Sequence, residues 1–194
     1  MKRIDPDLAW YQTQFRANRR EAAAICEGLS GEQFNYRPGP KRWSIAECLS
    51  HLNVSAHEYI PNVKAAIERG RATGYLAQGP QRQGWLVRRM IRAMEPPPRR
   101  RYKSPARFVG RAEAFDMEVL LNEFTAVGLQ WEECLDAANG LHLSRVKVRS
   151  PVVGLLRIPL GGLFAGMAAH ERRHLWQAKQ VKLSQVSVDA RESQ

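Results

Sequence analysis

The stretch Ser44-Ile45-Ala46-Glu47-Cys48-Leu49-Ser50-His51-Leu52-Asn53-Val54-Ser55-Ala56 reads as the opening of a long amphipathic helix. Ser44 and Glu47 stand at the spacing of a capping box, in which each side chain bonds the other's backbone N–H. Beyond them Ile45, Leu49, Leu52, Ala56, Ile60, Val63 and Ile67 recur every three or four residues and share one helical face. Pro61 removes one backbone donor inside that run and predicts a kink, and Gly70 predicts the end. A face this apolar needs other helices to cover it.

The neighbouring segments supply them. Asp5 as N-cap, Pro6 and Asp7 start a first helix, whose apolar positions are Leu8, Tyr11, Phe15, Ala22, Ile25 and Leu29. Ser30-Gly31 predicts its stop after about 24 residues, and residues 34–42 read as an extended, proline-punctuated connection. A third helix is expected from Ala112 to Ala138, with Met117, Leu120, Phe124, Val127, Trp131 and Cys134 on its apolar face and Asn139-Gly140 as its stop. A last helix is expected from Gly162 to Leu183, followed by a polar tail, Ser184–Gln194, expected to fray. Between the second and third helices, residues 71–111 break the pattern. Only Trp85–Met94 is amphipathic there, before Pro96-Pro97-Pro98 and Arg99-Arg100-Arg101. Residues 141–160 read as an irregular crossover with a short strand. The fold class is therefore all-α: a four-helix bundle in one domain over residues 1–194, with long connections that leave room for a crossover.

Composition agrees. Hydrophobic residues are 44% and charged residues 25%, which is ordinary for a globular protein. Three cysteines (Cys26, Cys48 and Cys134) have no disulfide or zinc-ribbon spacing, and the N-terminus shows no signal peptide. No apolar run reaches the roughly 18–20 residues of a membrane helix. A cytoplasmic protein is expected. The net charge of +11 is concentrated between Arg82 and Arg107, where Arg88, Arg89, Arg92, Arg99, Arg100, Arg101 and Lys103 face one acid, Glu95. That segment, 82–107, raises a non-enzymatic alternative: a module that binds nucleic acid, membrane or a protein partner. Its aromatics, Trp85 and Tyr102 with Phe108 just beyond, are irregularly placed, and a cap on the bundle or a homodimer contact is the simpler expectation.

Two of the five histidines, His170 and His174, lie one helical turn apart on the last helix. On a helical wheel His174 falls within the stripe of Leu160, Leu163, Phe164, Met167, Ala178 and Val181, His170 at its edge and Glu171 near its centre. The pair reads as metal ligands, as core histidines, or as the HExxH pattern of zinc proteases with Glu171 as base. Against the last, Arg172-Arg173 fills the motif's middle, and only twenty residues follow His174. His51 sits to one side of its helix's stripe, near Ser55, Glu58 and Glu47, which counts against it as a core residue.

Arg37-Pro38-Gly39-Pro40-Lys41-Arg42-Trp43-Ser44 leading to His51-Leu52, and His170-Glu171-Arg172-Arg173-His174-Leu175-Trp176-Gln177, together resemble the two signatures of the DinB-like (DinB/YfiT-like) family. The resemblance covers nearly the whole chain. It implies a helical bundle in which His51, His170 and His174 hold a divalent metal, zinc or nickel, with a position left open for chemistry. It further implies a metal-dependent enzyme of thiol-transferase or hydrolase type, acting on an unidentified small molecule with a low-molecular-weight thiol as cosubstrate. Ser55 and Glu58 are candidates for the pocket mouth, and Glu171 for a supporting residue or a partner of a neighbouring arginine. Trp43 is expected to pack at the helix start, and Cys48 to be a buried structural thiol. His57 and His142 are expected to stand apart.

Overall fold

The computed structural model describes residues 4–79, 84–97 and 114–192; the side chains of 86 and 186–192 are left out of account. It is all-α apart from one hairpin, with six helices among the described residues: α1 (Pro6–Cys26), α2 (Gly31–Asn35), α3 (Ile45–Ala72), α4 (Trp85–Met94), α5 (Met117–Ala138) and α6 (Leu160–Glu192). Strands β1 (Lys147–Arg149) and β2 (Arg157–Pro159) pair antiparallel, with Val148 opposite Ile158.

Caps set most helix ends where expected. Asp5 accepts from Asp7 N with Pro6 in the first turn, and both halves of the Ser44–Glu47 capping box form. Asn139 ends α5, and Gly140 takes the left-handed φ of +85° that lets the chain turn away. Other ends differ from expectation. α1 stops at Cys26, because Gly28 turns left-handed, and Ser30 instead opens α2 with its own capping box to Gln33. The turn 31–35 was hidden by its shortness. α3 passes Gly70 to Ala72, and α5 begins at Met117 because Asp116 caps it. α6 runs on past Ser184, to Glu192.

The four long helices contact one another in the cyclic order α1, α5, α3, α6. Side-chain bonds give their directions. Gln12 reaches Asp136, and Arg16 and Arg19 reach Glu132, so α1 and α5 are antiparallel. Asn18 reaches Glu171 and Lys179 reaches Glu21, so α1 and α6 are parallel. Asn53 bonds Glu123 and Arg71 bonds the Ala137 carbonyl, so α3 and α5 are parallel too. A parallel pair needs a connection that travels the length of the helices, which is why residues 73–116 are long.

That connection carries α4. Its boundaries, Trp85–Met94, are those expected. Ile91 packs against the core, and Glu95 pairs with Arg172 of α6. The helix is therefore laid on α6, with Arg88, Arg89 and Arg92 exposed. Arg82, Arg99, Arg100, Arg101, Lys103 and Arg107, with Tyr102 and Phe108, lie outside the described residues.

The core has two parts. One is built on Phe15, Trp131 and Phe164, with Phe15 stacked on Trp131 at 5.5 Å between ring centres. The other gathers Phe34, Ile45, Leu49, Phe124 and Leu175 around the first turns of α3. The hairpin closes the far end of α3, where Gly70 lets Val146 approach so closely that a Cβ would sit 2.7 Å from it. Among the described residues no helix is long and apolar enough to cross a membrane.

Candidate metal centre

The first turns of α3 are buried on every side: Ile45 through Asn53 are all inside. This corrects the helical-wheel reading of His51. The wheel allows α3 one buried face, but α5 and α6 flank it, and α2 and residues 36–43 cover its start, so His51 is only 5% exposed. Its ring points at α6, where His170 and His174 project from successive turns.

The three imidazoles meet. Ring centres lie 5.0 Å apart for His51–His170, 4.6 Å for His51–His174 and 4.7 Å for His170–His174. One nitrogen from each lies within 4.8 Å of the others, and His51 Nε2 stands 3.1 Å from His170 Nε2. Two nitrogens bound at about 2.0–2.1 Å to one tetrahedral ion would be about 3.3 Å apart, close to that separation. His170 and His174 are half-buried, so the cluster is sealed on the α3 side and approachable from another.

Burial keeps the two α6 rings neutral. Burial, reinforced by His51 and Arg173, pushes His170 down to about 3. Burial, reinforced by His170, His51 and Arg173, holds His174 well below the ordinary histidine range, against a hydrogen bond to Gln177 that pulls upward. A neutral imidazole is the form that ligates a metal. The Nδ1 atoms of His170 and His174 are buried with no hydrogen-bond partner among the described residues. On His170 the nitrogen that converges on His51 is the opposite ring atom, Nε2, so its lone pair is the one turned toward a shared cation. The donor set fits a borderline divalent ion.

Trp43 is the feature sequence reasoning undervalued. Half-buried just before the cap of α3, it stacks on His174 at 5.5 Å with 23° between planes and lies 5.0 Å from His51. It packs at the helix start as expected, and it also walls one side of the triad. The hint was its place immediately before Ser44, where an apolar side chain folds back over the first turns.

Glu171 faces the opposite way. Its carboxylate accepts from Asn18 Nδ2 of α1 at 2.8 Å, and it is buried. Burial pushes its pKa up to about 8, with the Asn18 bond and the Arg172 and Arg19 charges pulling back. Of the neighbouring arginines, Arg172 is held by Glu95 and Gln14. Asn18 was legible as a polar residue between Phe15 and Ala22 on the α1 stripe, but nothing local named its partner. Ser55 is buried one turn beyond His51. Glu58, two turns on, is exposed.

The remaining candidates stand apart. His57 pairs with Glu123 at 2.8 Å on the surface, and His142 sits beside the Leu76–Leu141 bridge. Cys26, Cys48 and Cys134 are all free and buried; burial raises Cys26 and Cys134 to about 11, and Cys48 further. None is a ready nucleophile.

A sequence profile of the DinB superfamily matches residues 14–178, a span that takes in every residue of the triad. The chain belongs to the DinB superfamily. This is a metal-binding superfamily, and the histidine triad is compatible with that property. No curated protein and no solved structure matches the chain.

Proposed function

We propose that this DinB-superfamily protein is a divalent-metal-dependent enzyme of thiol-transferase or hydrolase type, with His51, His170 and His174 as ligands. The observation that carries the reading is the convergence of one nitrogen from each of three imidazoles, drawn from two helices, within 4.8 Å. Three protein ligands leave room for a fourth, which is the pattern of catalytic rather than structural sites. A zinc or nickel ion there would supply Lewis acidity toward water or toward a low-molecular-weight thiol cosubstrate.

The chain's own residues would do the rest. α6 fixes the spacing of two rings and α3 presents the third, so the donor geometry is held before any ion arrives. Trp43 shields one side and restricts approach to the other. Arg173, whose charge is felt by both α6 histidines, gives the site a positive field that favours an anionic small molecule.

The zinc-protease reading needs Glu171 beside the ion. Its carboxylate is instead committed to Asn18 inside the helical core. Elemental analysis of the purified protein and of His174→Ala tests the proposal. A stoichiometric metal lost in the variant supports it. A metal-free wild type, or full activity in metal-stripped protein, rejects it, and casein cleavage by the metal-loaded protein would restore the protease.

A further inference from the structure

The turn between β1 and β2 is built the wrong way out for a loop in water. Residues 150–156 carry Val152, Val153, Leu155 and Leu156, all exposed, Leu155 at 95%. Turns of this length normally use Gly, Asn, Asp and Ser. Here the backbone is nonetheless ordered: Ser150 Oγ accepts from Val152 N and Val153 N, Leu156 N donates to the Val153 carbonyl, and Arg149 Nε donates to Gly154 O. The hairpin is also anchored, with Val148 in the core and Leu160 N bonded to the Val146 carbonyl. Four aliphatic side chains are thus held outward on a fixed support.

Charge surrounds them. Lys147, Arg149 and Arg157, at the base of the turn, are all exposed. From Gly140 to Ala169 the sequence contains no aspartate or glutamate. We propose that this hairpin tip docks on an anionic phospholipid surface, with its aliphatics entering the headgroup–acyl boundary and its cations meeting the phosphates.

Other occupants fit less well. A second copy of the chain seated tip to tip would set these cations against themselves. Nucleic acid would satisfy the cations but leave the aliphatics in water, and residues 141–160 contain no aromatic to stack on a base. A bilayer answers both halves of the feature. Basic residues near such a surface add attraction that salt weakens. The inference is independent of the metal site.

Co-sedimentation with phosphatidylserine–phosphatidylcholine vesicles at low ionic strength tests it, with pure phosphatidylcholine as control. Expected are binding to the anionic vesicles only, about tenfold weaker binding for Leu155→Ser/Leu156→Ser, and a similar loss for Lys147→Glu/Arg157→Glu. These side chains are exposed, so the variants should keep the wild-type circular dichroism. Leu155→Trp should show blue-shifted emission on the anionic vesicles alone. No binding by the wild type, equal binding to neutral vesicles, or full binding by Leu155→Ser/Leu156→Ser overturns the proposal. So does a dimer in solution that Leu155→Ser/Leu156→Ser abolishes when vesicles are not bound, since the tip would then be a protein contact.

Discussion

His51 Nε2 and His170 Nε2 lie 3.1 Å apart, although 119 positions separate them along the chain. Nothing local joins these residues; α3 and α6 bring them together by running antiparallel against each other. His51→Ala should therefore remove metal as completely as His174→Ala, although it lies outside the HExxH motif. The expected result is a fall from about one equivalent to a small residue of bound metal, read by elemental analysis. Chelation should lower the melting temperature of the wild type by several degrees and leave the variant's unchanged.

Trp43 should report on the site. Its indole stacks on His174, so a quenching ion such as nickel should dim part of the emission, and Trp43→Phe should remove that part. Trp43→Ala opens one wall and should weaken metal retention by about tenfold, a loss of near 1.4 kcal/mol, while Trp43→Phe retains most of it.

Glu171→Gln should leave fold and metal content nearly intact, because a glutamine oxygen can still accept from Asn18. Glu171→Ala should cost about 1–3 kcal/mol by leaving the Asn18 donor without that partner in the core. If Glu171→Gln instead abolished a metal-dependent hydrolysis without loss of metal, the residue would be a base after all.

Acid should weaken the α1–α5 seam. Burial raises the Glu132 pKa, but hydrogen bonds and charge from Arg19 and Arg16 outweigh it and hold the carboxylate below its usual range. A carboxyl depressed in the folded state stabilises above its unfolded pKa, and that stability is lost as pH falls through the folded one. Glu132→Gln should cost about 1–2 kcal/mol at neutral pH. In urea titrations the gap from wild type should close as the pH is lowered into the acid range.

Gly70→Ala should be destabilising by about 1–3 kcal/mol despite alanine's better helix propensity. The added Cβ would meet Val146 Cγ2 at 2.7 Å, and Val146 is itself buried in the core cluster that holds Leu141 and Leu160. Pairing the change with Val146→Ala should recover part of the loss in chemical denaturation.

The helices were legible because their signals are local: the Ser44–Glu47 cap, the Ile45–Ile67 stripe and the Asn139-Gly140 stop each act within a few residues. The α6 histidines were legible for the same reason, one turn apart on a helix. What stayed hidden depends on which surfaces meet. A wheel for α3 cannot know that both its flanks are covered, so it misplaced His51; only the likeness of its surrounding segment to a known motif pointed inward. Glu171 went to Asn18 because α1 runs parallel beside α6, a fact of topology. The hairpin tip drew no notice because aliphatic residues in sequence give no sign of facing outward.

The parallel pairing of α3 with α5, and of α1 with α6, also orders events in time. A ribosome releases His51 early, into a chain that has no partner for it. More than a hundred further residues must be made before α6 can lie between α1 and α3 and complete the triad. Until then α1, α3 and α5 carry apolar faces that only α6 covers, and the most buried stretch of α3 stands open beside His51. The site is therefore among the last features to be assembled in a newborn chain, and a ribosome paused before residue 160 would hold every other long helix but only His51 of the triad.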